Sequence, residues 1–131
     1  MILVDSSVWI DYFRDRDCAQ VQRLEKAMDA GEQLAVCGII LTEVLQGIRT
    51  EGQAKSVMLE LRPLRYLPLR RLTYMEAAAL YRKARSRGLV VRKTADCVIA
   101  ACAIAHRAEI LTSDADFTRI AAVSKLKLVR V

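Results

Sequence analysis

Four carboxylates in this sequence stand where a short apolar run ends or inside a segment that is otherwise apolar. They are spread over the whole chain: Asp5, Glu43, Asp96 and Asp114. Unpaired carboxylates gathered in one crevice would repel one another strongly. A hard divalent cation such as Mg²⁺ or Mn²⁺ removes that repulsion and prefers oxygen ligands. The chemistry that such a set supports best is metal-assisted hydrolysis of a phosphodiester by one or two ions.

The first of these acids, Asp5, follows the apolar run 1–4. A continuous apolar run predicts a strand that is buried on both faces, as in a parallel sheet. Ligands of open α/β sheets bind beyond the carboxyl ends of such strands, where Asp5 would lie. Ser6 or Ser7 would then cap the helix that begins near Val8. The alternative is that Asp5 is itself the helix cap and faces solvent, and this stretch alone leaves both open.

The other acids also have a structural explanation besides the chemical one. Glu43 lies in an apolar helical segment, where it needs a cation or a metal unless it reaches solvent at the edge of the helix face. Asp96 lies in the first turn of a nearly all-apolar helix, where an acid favours the helix dipole or projects into a crevice. Asp114 or Asp116 follows a short apolar run and either one could cap the next helix.

Short strands alternate with helices along the sequence, which indicates an α/β fold. The pattern predicts strands at 1–4, 34–37, 65–69, 109–112 and 126–131, and helices at 8–13, 18–30, 38–48, 53–61, 73–88 and 94–106. In this scheme 73–76 is a capping box and Pro68 puts the third strand at a sheet edge. Because short βα units connect right-handedly, the acids should converge on one rim of the sheet.

Composition predicts one cytoplasmic domain. The chain has 131 residues, of which 53% are hydrophobic, and it has no apolar run long enough to cross a membrane and no signal peptide. Its four cysteines lack metal-site spacing and stand among apolar neighbours, so we expect reduced, packed thiols. The single histidine, His106, ends a predicted helix, which favours a surface group over a catalytic base.

Positive charge is concentrated between residues 62 and 93, where ten Lys and Arg accompany one acid, although the whole chain carries a net charge of only +6. This basic strip is either a well-solvated helix face or a contact for a phosphate backbone. If it binds RNA, the candidate residues are Arg82, Lys83, Arg85, Arg92 and Lys93.

Four segments of the chain, 1–11, 41–47, 96–101 and 111–117, resemble the motifs of the PIN-domain family in order and spacing. The length of the chain and the residues of its motifs look most like those of the VapC-type ribonuclease toxins of toxin–antitoxin pairs. The resemblance implies a single domain over residues 1–131. The implied fold is a three-layer α/β/α sandwich around a short parallel sheet of four to five strands. The implied activity is that of a Mg²⁺- or Mn²⁺-dependent endoribonuclease.

The resemblance also implies roles for particular residues. The catalytic acids would be Asp5, Glu43, Asp96 and Asp114, and the metal ligands would be Asp5, Asp96 and Asp114. Asp116 would be an auxiliary acid, either outer-shell or a ligand of a second metal. A homodimer is implied, together with a VapB-type antitoxin that inserts a segment, often with an Arg, into the acidic pocket.

The sequence departs from the family pattern at two positions outside the acidic set. Cys97 replaces the more usual small Ala, and Arg107 stands where Gly often follows the helix. Neither residue is a predicted ligand, so these departures bear on packing rather than on activity.

Two other functions compete with the nuclease. One is a non-catalytic PIN-like module that binds RNA or a partner, but clustered negative charge beside RNA serves no purpose in a pure binder. The other is a phosphotransfer enzyme with Asp5 as nucleophile, which lacks the second acid expected two residues further on. The sequence shows no Ser-His-Asp set, glycine-rich phosphate loop or Cys-His pair.

Overall fold

Five short strands form one parallel sheet in the computed structural model, which describes residues 1–131. In chain order the strands are β1 (Ile2–Val4), β2 (Leu34–Val36), β3 (Arg65–Tyr66), β4 (Glu109–Leu111) and β5 (Lys127–Leu128). Their order across the sheet is β3-β2-β1-β4-β5 and every pair is parallel. The predicted edge position of the third strand is confirmed.

Seven helices flank the sheet and give the predicted three-layer α/β/α sandwich. They are α1 (Ser6–Phe13), α2 (Ala19–Asp29), α3 (Gly38–Gln46), α4 (Glu51–Leu61), α5 (Arg71–Ser86), α6 (Thr94–Ala105) and α7 (Asp116–Ala122). None of them combines the length and the apolar character that crossing a bilayer requires.

The chain changes direction across the sheet between β1 and β4. It runs outward from β1 through β2 to β3, and then returns to the other side of β1 to form β4 and β5. The connections that leave β1 and β4 therefore diverge, and this opens a crevice beyond the carboxyl ends of these two strands. The strands pair up to their last residues, Val4 with Leu111, and the Asp5 N–H donates to the Leu111 carbonyl at 2.9 Å.

The core lies where the central strands meet α6. Both β1 and β2 are buried along their whole length, and α6 is buried continuously from Asp96 to Ala103. This confirms that the apolar segment after residue 94 is a central helix. Cys37, Cys97 and Cys102 are buried free thiols, and Cys18 is half-buried.

Three details of the predicted helices are wrong. Helix α5 begins at Arg71, and Thr73 lies in its first turn and accepts a hydrogen bond from the Arg70 N–H at 3.2 Å, so Thr73 is not its N-cap. The helical spacing of apolar residues also predicts that Met58 and Tyr81 face the core, but they are 45% and 40% exposed. The local patterns correctly predicted that these helices form, but they misplaced the first turn of α5 and the side of the helix on which Met58 and Tyr81 lie.

Helices α5 and α6 end in the same way with different residues. In each, a residue with positive φ follows the last turn, and the next N–H bonds back to the helix: Leu89 to the Ala84 carbonyl at 3.0 Å, and Ala108 to the Ala103 carbonyl at 2.9 Å. The residue with positive φ is Gly88 (φ 72°) after α5 but Arg107 (φ 55°) after α6. A side chain in this conformation costs roughly 1 kcal/mol, which glycine avoids.

Candidate metal centre

Asp5 is held at the carboxyl end of β1 by hydroxyl groups from two elements. Its Oδ2 accepts hydrogen bonds from Ser7 Oγ at 2.6 Å and Thr112 Oγ1 at 2.9 Å, and the side chain is buried. Asp5 is also the N-cap of α1, through the Ser7 N–H at 3.4 Å. The prediction that Ser6 or Ser7 caps this helix is therefore wrong. The alternative was right that Asp5 is the cap and wrong that it faces solvent.

Glu43 reaches the same crevice from α3. It is half-buried, and its Oε1 accepts a hydrogen bond from Ser6 Oγ at 3.1 Å. Burial raises the pKa of Glu43 above its ordinary value, the Ser6 hydrogen bond opposes this, and the charges of Asp5 and Asp114 raise it further. Because Ser6 directly follows Asp5, this hydrogen bond places Glu43 next to the Asp5 end of β1.

Asp96 is the most deeply perturbed of the acids. It is only 3% exposed, and its buried Oδ2 has no hydrogen-bond partner. Burial, followed by the charges of Asp114 and Asp5, raises the pKa of Asp96 to about 7. A buried carboxylate oxygen without a donor is unfavourable unless a cation supplies the missing partner.

Asp114 and Asp116 lie on the turn between β4 and α7. The Asp114 N–H donates to Thr112 Oγ1 at 2.9 Å, and the Asp116 N–H donates to Asp114 Oδ1 at 2.9 Å. Asp114 is half-buried, whereas Asp116 is fully buried. Two arginines hold Asp116: Arg119 bonds to Oδ1 at 2.6 Å, and Arg92 bonds to Oδ2 through its backbone N–H at 3.1 Å.

The geometry of these carboxylates fits a divalent cation. One oxygen each from Asp96, Asp114 and Asp116 lie within 4.8 Å of one another. Asp5 is linked to Asp114 through the Thr112 hydroxyl, and Glu43 is linked to Ser6, the residue after Asp5. All the donors are carboxylate oxygens, which suits a hard cation such as Mg²⁺ or Mn²⁺. The unpartnered oxygen of Asp96 is the position that such an ion would fill first.

The sequence matches the family model "PIN domain" over residues 2–123. This chain is a PIN-domain protein. It is 35% identical to a VapC ribonuclease of Mycobacterium bovis and to ribonuclease VapC11 of Mycobacterium tuberculosis, over 97% of this chain and 96% of each relative. It therefore belongs to the VapC ribonuclease group of the PIN-domain family.

Solved structures share the PIN fold along nearly the whole chain. The VapBC2 complex of Rickettsia felis, bound to a promoter DNA fragment, contains a chain that matches with a TM-score of 0.78 and 21% identity over 98% of both chains. VapBC-1 of nontypeable Haemophilus influenzae matches with a TM-score of 0.76 and 18% identity, over 98% of this chain and 97% of that one. At these identities the likeness establishes the fold alone.

Sequence reasoning found the acids of this PIN domain but missed the residues that hold them. Thr112 directly follows β4 and Ser7 lies two residues after Asp5, and these positions were the available signal. Arg119 lies three residues after Asp116, a spacing that places both on one side of a helix. Nothing local signals Arg92, which is 24 residues from Asp116 and on a different loop.

The basic strip of this PIN domain divides into two parts. Arg82, Lys83 and Arg85 are exposed on α5, and the Arg85 guanidinium lies 5.8 Å from the centre of the Tyr81 ring. Arg92 and Lys93 precede α6, and Arg92 is already paired with acids of the pocket. At the far end of α6, His106 Nε2 lies 3.0 Å from the Pro68 carbonyl, away from the acids at the start of that helix.

Proposed function

We propose that this protein is a metal-dependent endoribonuclease and the toxin of a toxin–antitoxin pair. The observation that carries the proposal is the buried, unpartnered Oδ2 of Asp96 beside other carboxylates. Its membership of the VapC ribonuclease group supports the same reaction. A pure binding module would gain nothing from a costly unsatisfied oxygen next to a polyanion.

In this proposal Asp5, Asp96 and Asp114 hold one or two Mg²⁺ or Mn²⁺ ions. The bound cation supplies an activated water and neutralises charge on the leaving oxygen of the phosphodiester. Ser7 and Thr112 keep the Asp5 carboxylate in position through hydrogen bonds of 2.6 and 2.9 Å.

Glu43 is the proposed proton acceptor. Its Oε1 is held by Ser6 at 3.1 Å, while Oε2 has no hydrogen-bond donor and is free to take a proton from the attacking water. Its raised pKa brings its proton affinity closer to that needed for a base working near neutral pH. In this proposal the three aspartates bind the cation, and Glu43 accepts the proton.

The proposed substrate is RNA, held by the basic strip beside the acidic pocket. Arg82, Lys83 and Arg85 present exposed charge on α5, the helix that packs most extensively against α6. Because α6 carries Asp96 in its first turn, a polyanion lying along α5 would be guided towards the carboxylates.

A VapB-type antitoxin is the proposed regulator. The matched chains of Rickettsia felis and Haemophilus influenzae come from VapBC complexes. A cationic antitoxin segment would be attracted to the carboxylates of this pocket by the same charge that binds the metal, and would thereby block it.

We also propose a homodimer formed through the outer face of α5. Tyr74 and Tyr81, seven residues apart on one side of this helix, are 50% and 40% exposed, and Met75, which follows Tyr74, is 61% exposed. Large apolar side chains grouped on one helix face mark an interface with another protein, and a second copy brings the same face. Light scattering should report a dimer for the wild type and a monomer for Met75→Glu combined with Tyr81→Glu.

One sheet and one continuous core hold residues 1–131 together, which supports a single domain. We place the protein in the cytoplasm, where thiols stay reduced, in keeping with its four free cysteines.

Cleavage of total RNA by the antitoxin-free protein tests the proposed reaction. The wild type should cut RNA with Mg²⁺ or Mn²⁺ and stop when EDTA is added. Asp5→Asn and Asp96→Asn should lose cleavage and keep the fold, whereas Asp29→Asn, which alters an exposed aspartate on α2, should cut like the wild type. If the wild type leaves RNA intact both with Mg²⁺ and with Mn²⁺, the proposed nuclease activity is rejected. Metal-independent RNA binding that the acid substitutions leave unchanged would favour the binding module instead.

A further inference from the structure

Asp116 differs from the other acids of the pocket because both of its oxygens already have cationic partners. Oδ1 accepts from Arg119 Nη1 at 2.6 Å, and Oδ2 accepts from the Arg92 backbone N–H at 3.1 Å and Nε at 3.4 Å. The side chain is fully buried. A carboxylate removed from water in this way is stabilised by charge-assisted hydrogen bonds, and a metal ion would have to displace one of them.

Asp96 presents the opposite arrangement. It is almost as deeply buried as Asp116, but its Oδ2 accepts no hydrogen bond. The spacing of the carboxylate oxygens alone would admit both residues as ligands, since they lie within 4.8 Å of each other and of Asp114. Their hydrogen bonding differs, because no cationic side chain contacts Asp96, whereas Arg92 and Arg119 both bond to Asp116.

Arg92 is fixed at one end and free at the other. Its backbone N–H and Nε bond to Asp116, and its Nη2 lies 3.5 Å from Asp114 Oδ1. The side chain is nevertheless 67% exposed, and Nη1 has no partner within the protein. A guanidinium tethered through Nε keeps its outer N–H donors for an anion, and its planar fork matches a phosphate group.

We propose that Asp116 is a positioning residue rather than a metal ligand. It anchors Arg92 so that the guanidinium contacts an RNA phosphate at the mouth of the acidic pocket. Arg119 completes the anchor by holding the second oxygen of Asp116. This inference rests on the ribonuclease function proposed above.

Calorimetric titration with Mn²⁺ in the absence of RNA tests the role of Asp116. Asp96→Asn should lose Mn²⁺ binding, while Asp116→Asn should keep it, weakened by about 10- to 100-fold, the effect of a residue outside the ligand shell. Arg119→Gln removes the anchor without altering a carboxylate and should behave like Asp116→Asn. Thermal melting verifies that each variant is folded, and Asp116→Ser is measured instead if Asp116→Asn does not fold. Loss of Mn²⁺ binding in folded Asp116→Asn to the level of Asp96→Asn would overturn the inference.

Fluorescence anisotropy tests the role of Arg92, with a short labelled RNA of mixed sequence in EDTA so that no cleavage occurs. Arg92→Gln should lower RNA affinity by about tenfold, as expected when a hydrogen bond to a charged group is removed. Compared with Arg92→Gln, Arg92→Lys should restore the salt dependence of RNA binding but only part of the affinity. The lysine ammonium supplies the charge but lacks the planar, two-pronged set of donors of a guanidinium. Asp116→Asn should weaken RNA binding as well, because it releases Arg92.

Lys26→Gln is the matched control, since it removes one exposed positive charge on α2, outside the basic strip, and should bind RNA like the wild type. If the wild type cleaves RNA but Arg92→Gln binds it as tightly as Lys26→Gln does, this inference is wrong and the nuclease stands. A wild type that neither binds nor cleaves RNA overturns both proposals.

Discussion

The Asp5 carboxylate accepts a hydrogen bond from Thr112 Oγ1 at 2.9 Å, which joins the carboxyl ends of β1 and β4. The same hydroxyl accepts a hydrogen bond from the Asp114 N–H at 2.9 Å. Thr112 therefore ties together the two strand ends that carry proposed metal ligands. Because these ligands are held before the cation arrives, little reorganisation is needed to bind it.

Metal affinity should depend on pH through Asp96. Burial and the neighbouring charges of Asp114 and Asp5 raise the pKa of Asp96 to about 7, and a protonated carboxyl must release its proton before it binds a cation. We expect Mn²⁺ affinity to fall by about tenfold for each pH unit below that value. Calorimetry in buffers of different pH measures this fall. An affinity that stays level on both sides of the Asp96 pKa would contradict the prediction.

The metal-free protein should become more stable when Asp96 is replaced by Asn. An unfolded Asp has lost its proton above its ordinary pKa of 3.8, whereas folded Asp96 keeps its proton up to about pH 7. Stability contributed by the protonated form is therefore lost as pH rises through this window. Above it, Asp96→Asn should exceed the wild type by roughly 2 to 4 kcal/mol, the order of magnitude that a shift from 3.8 to about 7 implies.

Urea unfolding in EDTA, on both sides of the window, measures this difference. Addition of Mn²⁺ should reverse the order, since only the wild type retains the full ligand set and gains binding energy. Asp29→Asn should follow the wild type throughout. A metal-free Asp96→Asn that is less stable than the wild type above pH 7 would show that the buried carboxylate is satisfied in some other way.

Charge reversal on α5 should weaken RNA binding and flatten its salt dependence. The variant carries Glu at Arg82, Lys83 and Arg85, in the background of Asp96→Asn so that the RNA stays intact. For every phosphate that the variant no longer neutralises, the slope of log affinity against log salt should fall by about 0.7 for a single strand. Anisotropy titrations at several salt concentrations give this slope.

A control with the same change in net charge separates a local contact from a general charge effect. Glu at the exposed Lys26, Lys55 and Lys127 alters α2, α4 and β5 instead. If both triple variants change the slope equally, or if neither changes it, the basic strip of α5 is ordinary solvated surface.

Arg107→Gly should stabilise the protein by about 0.5 kcal/mol. Glycine relieves the cost of φ 55° after α6, and the greater freedom of the unfolded chain offsets part of the gain. Gly88→Ala is the reverse experiment after α5 and should destabilise by about 1 kcal/mol. A Cβ at Gly88 would meet nothing within 4 Å, so any loss there comes from the backbone alone. In urea unfolding, a less stable Arg107→Gly or a Gly88→Ala as stable as the wild type would contradict this prediction.

Local sequence patterns predicted the strands, the helices and the positions of the acids within them, because each of these features depends on residues that are neighbours in the chain. The all-round apolarity of 97–105 correctly predicted the buried helix α6, and the residues that follow β1 and β4 lie side by side, since Asp5 is hydrogen-bonded to Thr112. The pairing of Arg92 with Asp116 and of Thr112 with Asp5 could not be read in this way. Those contacts depend on how the β1–β4 crevice brings distant loops together.

The hydrogen bond between Asp5 and Thr112 spans 107 residues of sequence. During translation, the first carboxylate leaves the ribosome long before the strand that completes the pocket has been synthesised. A nascent chain that stops short of β4 therefore lacks the proposed metal site. With that site, the cell that makes this toxin is exposed to its activity only after residue 114 has emerged and folded back against β1.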